Sequence, residues 1–191
     1  MLQKLLDYQI EFELTATSYD SGENLKSKYP EVQGILKFLQ KEVGVKILHG
    51  VDATRYLPVQ LTNEDGSCPP AYQHVIFNFP HLGIEDASAH SCFIAHVMYR
   101  VKDIMDRNQS TLYITLAHQQ EERWLLSDQT ERNGFIKFEV IPFRRGDWPR
   151  YTTKRHHCGK SFHARVEGAS HFCFKMIEVE YCPVVVCLLF E

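Results

Sequence analysis

The sequence has no apolar run long enough to cross a bilayer. The longest, at 183–190, is eight residues, where a helical span needs about 20. No extended apolar core opens the chain, since Lys4 and Asp7 interrupt its first residues, and no signal peptide is expected. None of the six cysteines (68, 92, 158, 173, 182 and 187) forms a CxxC pair. That excludes the common zinc and dithiol motifs and favours reduced thiols in an intracellular protein. There is no repeat or low-complexity block, which excludes solenoids and collagens. Nor is there an excess of basic charge: 21 Lys and Arg face 24 Asp and Glu, a formal charge of −3. Any nucleic-acid signal must therefore be local. What remains is 191 residues, 44% hydrophobic and 24% charged, the composition of a globular domain with one core.

Periodicity supplies the elements. Residues 8–18 alternate Ile10, Phe12 and Leu14 with Glu11, Glu13 and Thr15, the period of a strand. A helix is predicted over 23–42, capped by Ser21, interrupted by Pro30 and ended by Gly44. A second strand fits 45–50, a polar loop 62–71, and an apolar strand 74–79 of the kind buried on both faces of a parallel sheet. A helix over 88–105, a strand over 111–116, a helix over 121–131 and a strand over 135–142 follow. A basic loop then leads to one or two strands within 162–179. Alternating strands and helices imply an open α/β sheet with parallel pairing. Ligands of such sheets bind beyond the carboxyl ends of the strands.

Three groups of residues fall at those ends. Asp20 and Asp52 follow successive strands, where a carboxylate can accept ribose hydroxyls or an adenine amine. Either acid can equally be a helix cap or turn former. Asn78-Phe79-Pro80-His81 closes the 74–79 strand and resembles the Asn/Asp-Pro-Pro-Tyr corner of methyltransferases that act on planar nitrogens. There Asn78 offers an amide, Pro80 fixes the corner so that the Phe79 carbonyl faces the site, and Phe79 can stack on a base. His81 could assist loss of a ring-nitrogen proton. The plain alternative is a strand ended by proline, with a surface histidine.

Between 144 and 165 the chain carries Arg144, Arg145, Arg150, Lys154, Arg155, Lys160 and Arg165 against one acid, Asp147. Trp148, Tyr151 and Phe162 are interleaved. Guanidinium groups among stacking rings suit single-stranded or looped RNA, although a solvated loop has the same composition. His156, His157, Cys158 and His163 lack the spacing of a zinc site.

Together these stretches resemble the large-subunit ribosomal RNA (uridine-N(3))-methyltransferase-like domain family. The same domain forms the N-terminal part of animal proteins with a ferredoxin-fold anticodon-binding domain. The resemblance rests on Leu14-Thr15-Ala16-Thr17-Ser18-Tyr19-Asp20-Ser21, Lys28-Tyr29-Pro30, Gly50-Val51-Asp52-Ala53-Thr54 and Val75-Ile76-Phe77-Asn78-Phe79-Pro80-His81-Leu82-Gly83. It continues in Ile114-Thr115-Leu116, Trp124 and Gly134-Phe135, across roughly 10–165. It implies a Rossmann-like class I methyltransferase sheet and methyl transfer from S-adenosylmethionine to N3 of a uridine in rRNA. It also implies a nucleolar or cytoplasmic setting. Asp20, Asp52 and Ala53 would bind the cofactor and Asn78, Phe79, Pro80 and His81 would serve catalysis, with no metal and no membrane.

Relatives open with a strand and a glycine-rich loop around the cofactor's methionine end. This sequence has no counterpart, so the sheet is expected to lack its first strand and either to pair the neighbours directly or to leave a gap. The expected organisation is a methyltransferase-like domain over 1–177 and an atypical apolar tail over 178–191. Two other readings stay open: a non-catalytic RNA- or protein-binding module on the same fold, and a nucleotide-dependent oxidoreductase, which rests on fold analogy alone.

Overall fold

A computed structural model describes residues 12–42, 45–63, 65–68, 71–147 and 166–177. Expectations for 8–11, Gly44, 148–165 and 178–191 lie outside these residues. The elements are β1 (Thr15–Ser18), α1 (Gly22–Lys28), α2 (Val32–Glu42), β2 (Lys46–His49), α3 (Leu57–Leu61), β3 (His74–Asn78) and α4 (Ala87–Val101). They continue as β4 (Thr111–Leu116), α5 (Gln120–Arg123), α6 (Leu126–Arg132), β5 (Phe135–Pro142) and β6 (Ser170–Met176).

Two single helices of the sequence reading are split. Pro30 divides the first into α1 and α2, because it has no N–H to donate and restricts Tyr29 before it. Leu125, at a φ of +52°, divides the second into α5 and α6. That residue carries no glycine or proline signal, which is why periodicity read straight through it. The short helix α3 was not foreseen.

The largest apolar stripe belongs to α4. Asp86 caps its start by accepting from the Ala89 N–H at 2.9 Å. Its Ile94, Val97, Met98 and Val101 are buried against Leu112, Ile114 and Leu116 of β4 and against Phe135 and Phe174. β4 is the buried centre of a four-stranded sheet ordered β3-β4-β6-β5. β3 runs parallel to β4, while β6 is antiparallel to both its neighbours. The expected all-parallel sheet is thus mixed at this edge. The sequence reading itself places only a loop between these last strands, and a parallel return needs a long crossover.

β1 and β2 form a separate parallel pair. Among the described residues no strand lies between β1 and β3, so the sheet has a gap. A cavity of about 150 Å³ opens there, lined by Thr15 and Thr17 of β1, Val75, Ile76 and Phe77 of β3, and Val97 and Val101 of α4. β3 is consequently not buried on both faces as its composition suggests. His74 is exposed and Ile76 is 37% exposed, because among the described residues the strand has a partner on one edge only.

Candidate functional site

The strand order turns back at this gap: the chain runs from β1 outward to β2, then returns to β3 and proceeds the other way. Such a reversal is where open α/β sheets leave a crevice outside the carboxyl ends of their strands. The Tyr72 hydroxyl reaches Thr15 Oγ1 at 3.0 Å, tying the start of β3 to the start of β1. The starts of β1 and β3 are therefore neighbours. Asp20 and Asp52 follow β1 and β2, and Asn78 ends β3. Backbone bonds from Gly50 N to Asp20 O (3.3 Å) and from Val51 N to Ser18 O (3.0 Å) hold the two acidic turns together. Ala53 and Phe77 line the same cavity.

Each acid also has a local job. Asp20 Oδ1 accepts from Lys28 Nζ at 2.7 Å. Asp52 Oδ1 accepts from both the N–H (2.9 Å) and the hydroxyl (2.7 Å) of Thr54, closing a turn. The Thr54 hydroxyl, followed by its N–H and the charge of Arg55, outweighs burial and holds the Asp52 carboxyl below its ordinary value. Both acids accept hydrogen bonds, with side chains 20% and 28% exposed. They retain oxygen lone pairs for further donors.

The corner after β3 is strained. Phe79 has a φ of +49°, a left-handed conformation that costs a non-glycine residue roughly 1–2 kcal/mol. Strain of this kind persists only where the surroundings enforce it. Here the Phe79 N–H donates to Thr115 O at 2.9 Å, and its ring meets Phe143 edge-on at 5.2 Å. Pro80 is buried behind it. Phe143 in turn lies 5.2 Å from the ring of His171.

Asn78 is fixed by a relay that sequence reading missed. The buried Thr115 hydroxyl donates to Asn78 Oδ1 at 2.6 Å and lies 2.7 Å from His171 Nδ1. A hydroxyl has one proton, so His171 Nδ1 is the donor in the second bond. The relay commits the Asn78 carbonyl to Thr115 and leaves its NH₂ group as a donor. Burial lowers the His171 pKa, opposed by Asp147. Thr115 sits directly beside Asn78 on β4 and His171 directly beside Thr115 on β6. The pairing register, which is not written in the local sequence, creates the relay.

His81 Nδ1 accepts from Gly83 N at 2.8 Å, so a neutral ring presents Nε2–H as a donor. Taking a proton at that ring would first require the Gly83 bond to be released. His90 secures the loop from below: its Nδ1 is 2.6 Å from Asp86 O and its Nε2 accepts from Leu82 N at 3.2 Å. The ring stacks on Trp124 at 4.3 Å and meets His81 at 4.5 Å. A polar residue at the buried face of α4 was the available signal for His90.

Of the basic residues, Arg144 and Arg145 are described and exposed, immediately after Phe143. The Phe143–Phe79 contact therefore places the start of the basic segment beside the corner. Arg150, Lys154, Arg155 and Lys160 lie outside the described residues. Among the described residues no group of three metal-ligating side chains occurs, and no helix is long and apolar enough to cross a membrane.

Comparison with known proteins agrees with this architecture. A solved glycopeptide N-methyltransferase, MtfA, complexed with (S)-adenosyl-L-methionine, superposes with a TM-score of 0.52 at 10% identity, covering 92% of this chain and 76% of that one. A TehB-like SAM-dependent methyltransferase from Corynebacterium glutamicum gives 0.44 at 10% identity, over 91% of this chain and 85% of that one. At such identity the first likeness shows the fold alone, a Rossmann-like methyltransferase sheet. Heavy metal-associated isoprenylated plant protein 41 of Arabidopsis thaliana is 27% identical over 149 residues, which is 74% of this chain but 28% of that protein. The BMT5-like family, described as rRNA (uridine-N3-)-methyltransferase BTM5-like, matches residues 2–155. The chain belongs to the BMT5-like rRNA (uridine-N3-)-methyltransferase family.

Proposed function

We propose that this protein methylates N3 of a uridine in ribosomal RNA, with S-adenosylmethionine as donor, inside the cell in the nucleolus or cytoplasm. The observation that carries the reading is the forced backbone of Phe79 at the carboxyl end of β3, with Asn78 locked beside it. The residues suit the donor's adenosine end: Asp20 and Asp52 are acceptors after adjacent strands, and Ala53 lines the crevice between β1 and β3. When bound, S-adenosylmethionine supplies an electrophilic methyl group.

The chain's own groups orient the base. Phe79 stacks against the uracil ring, and the Asn78 NH₂ donates to a uracil carbonyl. Between them these contacts hold N3 in line for attack, a gain of positioning. The imide proton must leave N3, and His81 accepts it if its bond from Gly83 opens. A uridine inside a helix would first be extruded. Arg144 and Arg145, with Arg150, Lys154, Arg155 and Lys160, hold the RNA backbone by charge.

One observation favours a second reading. Among the described residues no strand stands between β1 and β3, which suits a module that keeps the fold and binds RNA without methylating it. Calorimetric titrations separate the two. Binding of S-adenosylmethionine that is lost in D52A supports the methyltransferase. RNA binding with no heat from S-adenosylmethionine supports the module.

A further inference from the structure

We propose that Leu82 and Ile84 form a wedge that enters paired RNA beside the Asn78–His81 corner and fills the place of an extruded nucleotide. The wedge rests on the RNA half of the reading above, and extrusion can be measured apart from methyl transfer.

Both side chains are apolar and meet water: Leu82 is 37% exposed and Ile84 50%. A single exposed aliphatic residue is ordinary on a protein surface. These two differ because the loop that carries them is fastened. The Leu82 N–H donates to Nε2 of the buried His90 at 3.2 Å, and the Gly83 N–H donates to His81 Nδ1 at 2.8 Å. His90 is anchored in turn. Its Nδ1 is 2.6 Å from Asp86 O, which can only accept, so the ring donates there and accepts at Nε2. The same ring stacks on the buried Trp124 at 4.3 Å. Gly83, at a φ of +82°, makes a left-handed turn that other residues resist. On the far side of the tip Asp86 caps α4 through the Ala89 N–H. The tip is thus held from Pro80 to Asp86 and displays its two aliphatic groups instead of folding them away.

The chemistry of the tip selects its occupant. The chain has no Lys or Arg from 56 to 99, and Glu85 beside the tip is exposed. Such a loop repels phosphates rather than binding them. What suits it in RNA is the face of a base, since apolar side chains inserted between base steps unstack them. Cations stand elsewhere: Arg144 and Arg145 follow Phe143, whose ring meets Phe79 at 5.2 Å. Along the chain the tip begins one residue past His81, so it adjoins the corner where an extruded base would arrive. A protein partner would need far more buried area than two side chains provide.

Hairpins from large-subunit rRNA, each with 2-aminopurine beside one paired uridine, report lost stacking as a rise in fluorescence. The full chain should produce that rise, and L82A/I84A should reduce it at least ten-fold. L82M/I84L, which keeps the apolar bulk, should return it to within two-fold of the parent. Affinity for the same RNA as an unpaired strand should change less than two-fold in either variant, which also shows that both fold. No rise with the parent, an equal rise with L82A/I84A, or an equal loss of affinity for paired and unpaired RNA would each overturn the wedge. Methylation of paired RNA without a rise would leave methyl transfer standing and overturn the wedge. A rise that depends on Leu82 and Ile84, with no 3-methyluridine formed, would support the wedge and count against methyl transfer.

Discussion

The hydroxyl of Tyr72 donates to Oγ1 of Thr15 at 3.0 Å, a side-chain bond that crosses the gap between β1 and β3. A partly buried bond of this type is worth about 0.5–1.5 kcal/mol. Y72F should lower stability by that amount, and T15V should add little more once the phenol is gone. Denaturant unfolding of the two single variants and the double variant measures the coupling. Additive losses would mean that the bond does not tie β1 to β3.

Phe79 should show its strain. At a φ of +49° glycine is free of the penalty that alanine keeps. F79G should therefore be more stable than F79A by about 1 kcal/mol, although both lose the ring contact with Phe143. Both should bind RNA more weakly than the parent. The opposite order of stability would remove the left-handed corner from the account.

The relay through His171 makes a pH prediction. Its folded pKa lies below the ordinary 6.5 because of burial. Between those two values the unfolded chain binds the proton and the folded chain does not. Stability should thus be unaffected by this group above pH 6.5 and decline as pH falls through the folded value. H171N, which retains a donor toward Thr115, should flatten that decline below pH 6.5. Parallel slopes for the two proteins in denaturant titrations would contradict it.

Arg144 and Arg145 should act on RNA through charge. Replacing both with alanine should reduce the slope of log K against log salt by about 1.4, if each releases one counterion from a single strand. The stability of the folded chain should change little, since both side chains are exposed. An unchanged salt slope would detach this segment from the RNA.

Local pattern made much of this molecule legible. Alternation at Ile10, Phe12 and Leu14 announced a first strand, although within the described residues it spans only Thr15–Ser18. The runs at 74–79, 111–116 and 135–142 fall within a residue of the observed strands. Asp20, Asp52 and Asn78 stand at strand ends because polar and turn-forming residues are what can end a strand at its carboxyl edge. What pattern could not give was anything set by register or by a missing neighbour. The Thr115–Asn78–His171 relay exists because three strands align those positions, and Thr115 reads locally as an ordinary β residue. Ile76 lies in a run with the composition of a central strand, yet among the described residues one edge of β3 lacks a partner. Leu125 adopts a left-handed turn without any residue type that signals one.

The central claim is that the crevice outside β1, β2 and β3 brings a methyl donor to a uracil held at Asn78 and Phe79. The most direct test incubates the full chain with isotopically labelled S-adenosylmethionine and unmodified large-subunit rRNA, then digests the RNA to nucleosides for mass spectrometry. The account predicts labelled 3-methyluridine with the parent chain and at least a hundred-fold less with N78A. RNA that binds but returns no labelled 3-methyluridine, or an N78A variant as active as the parent, would contradict it.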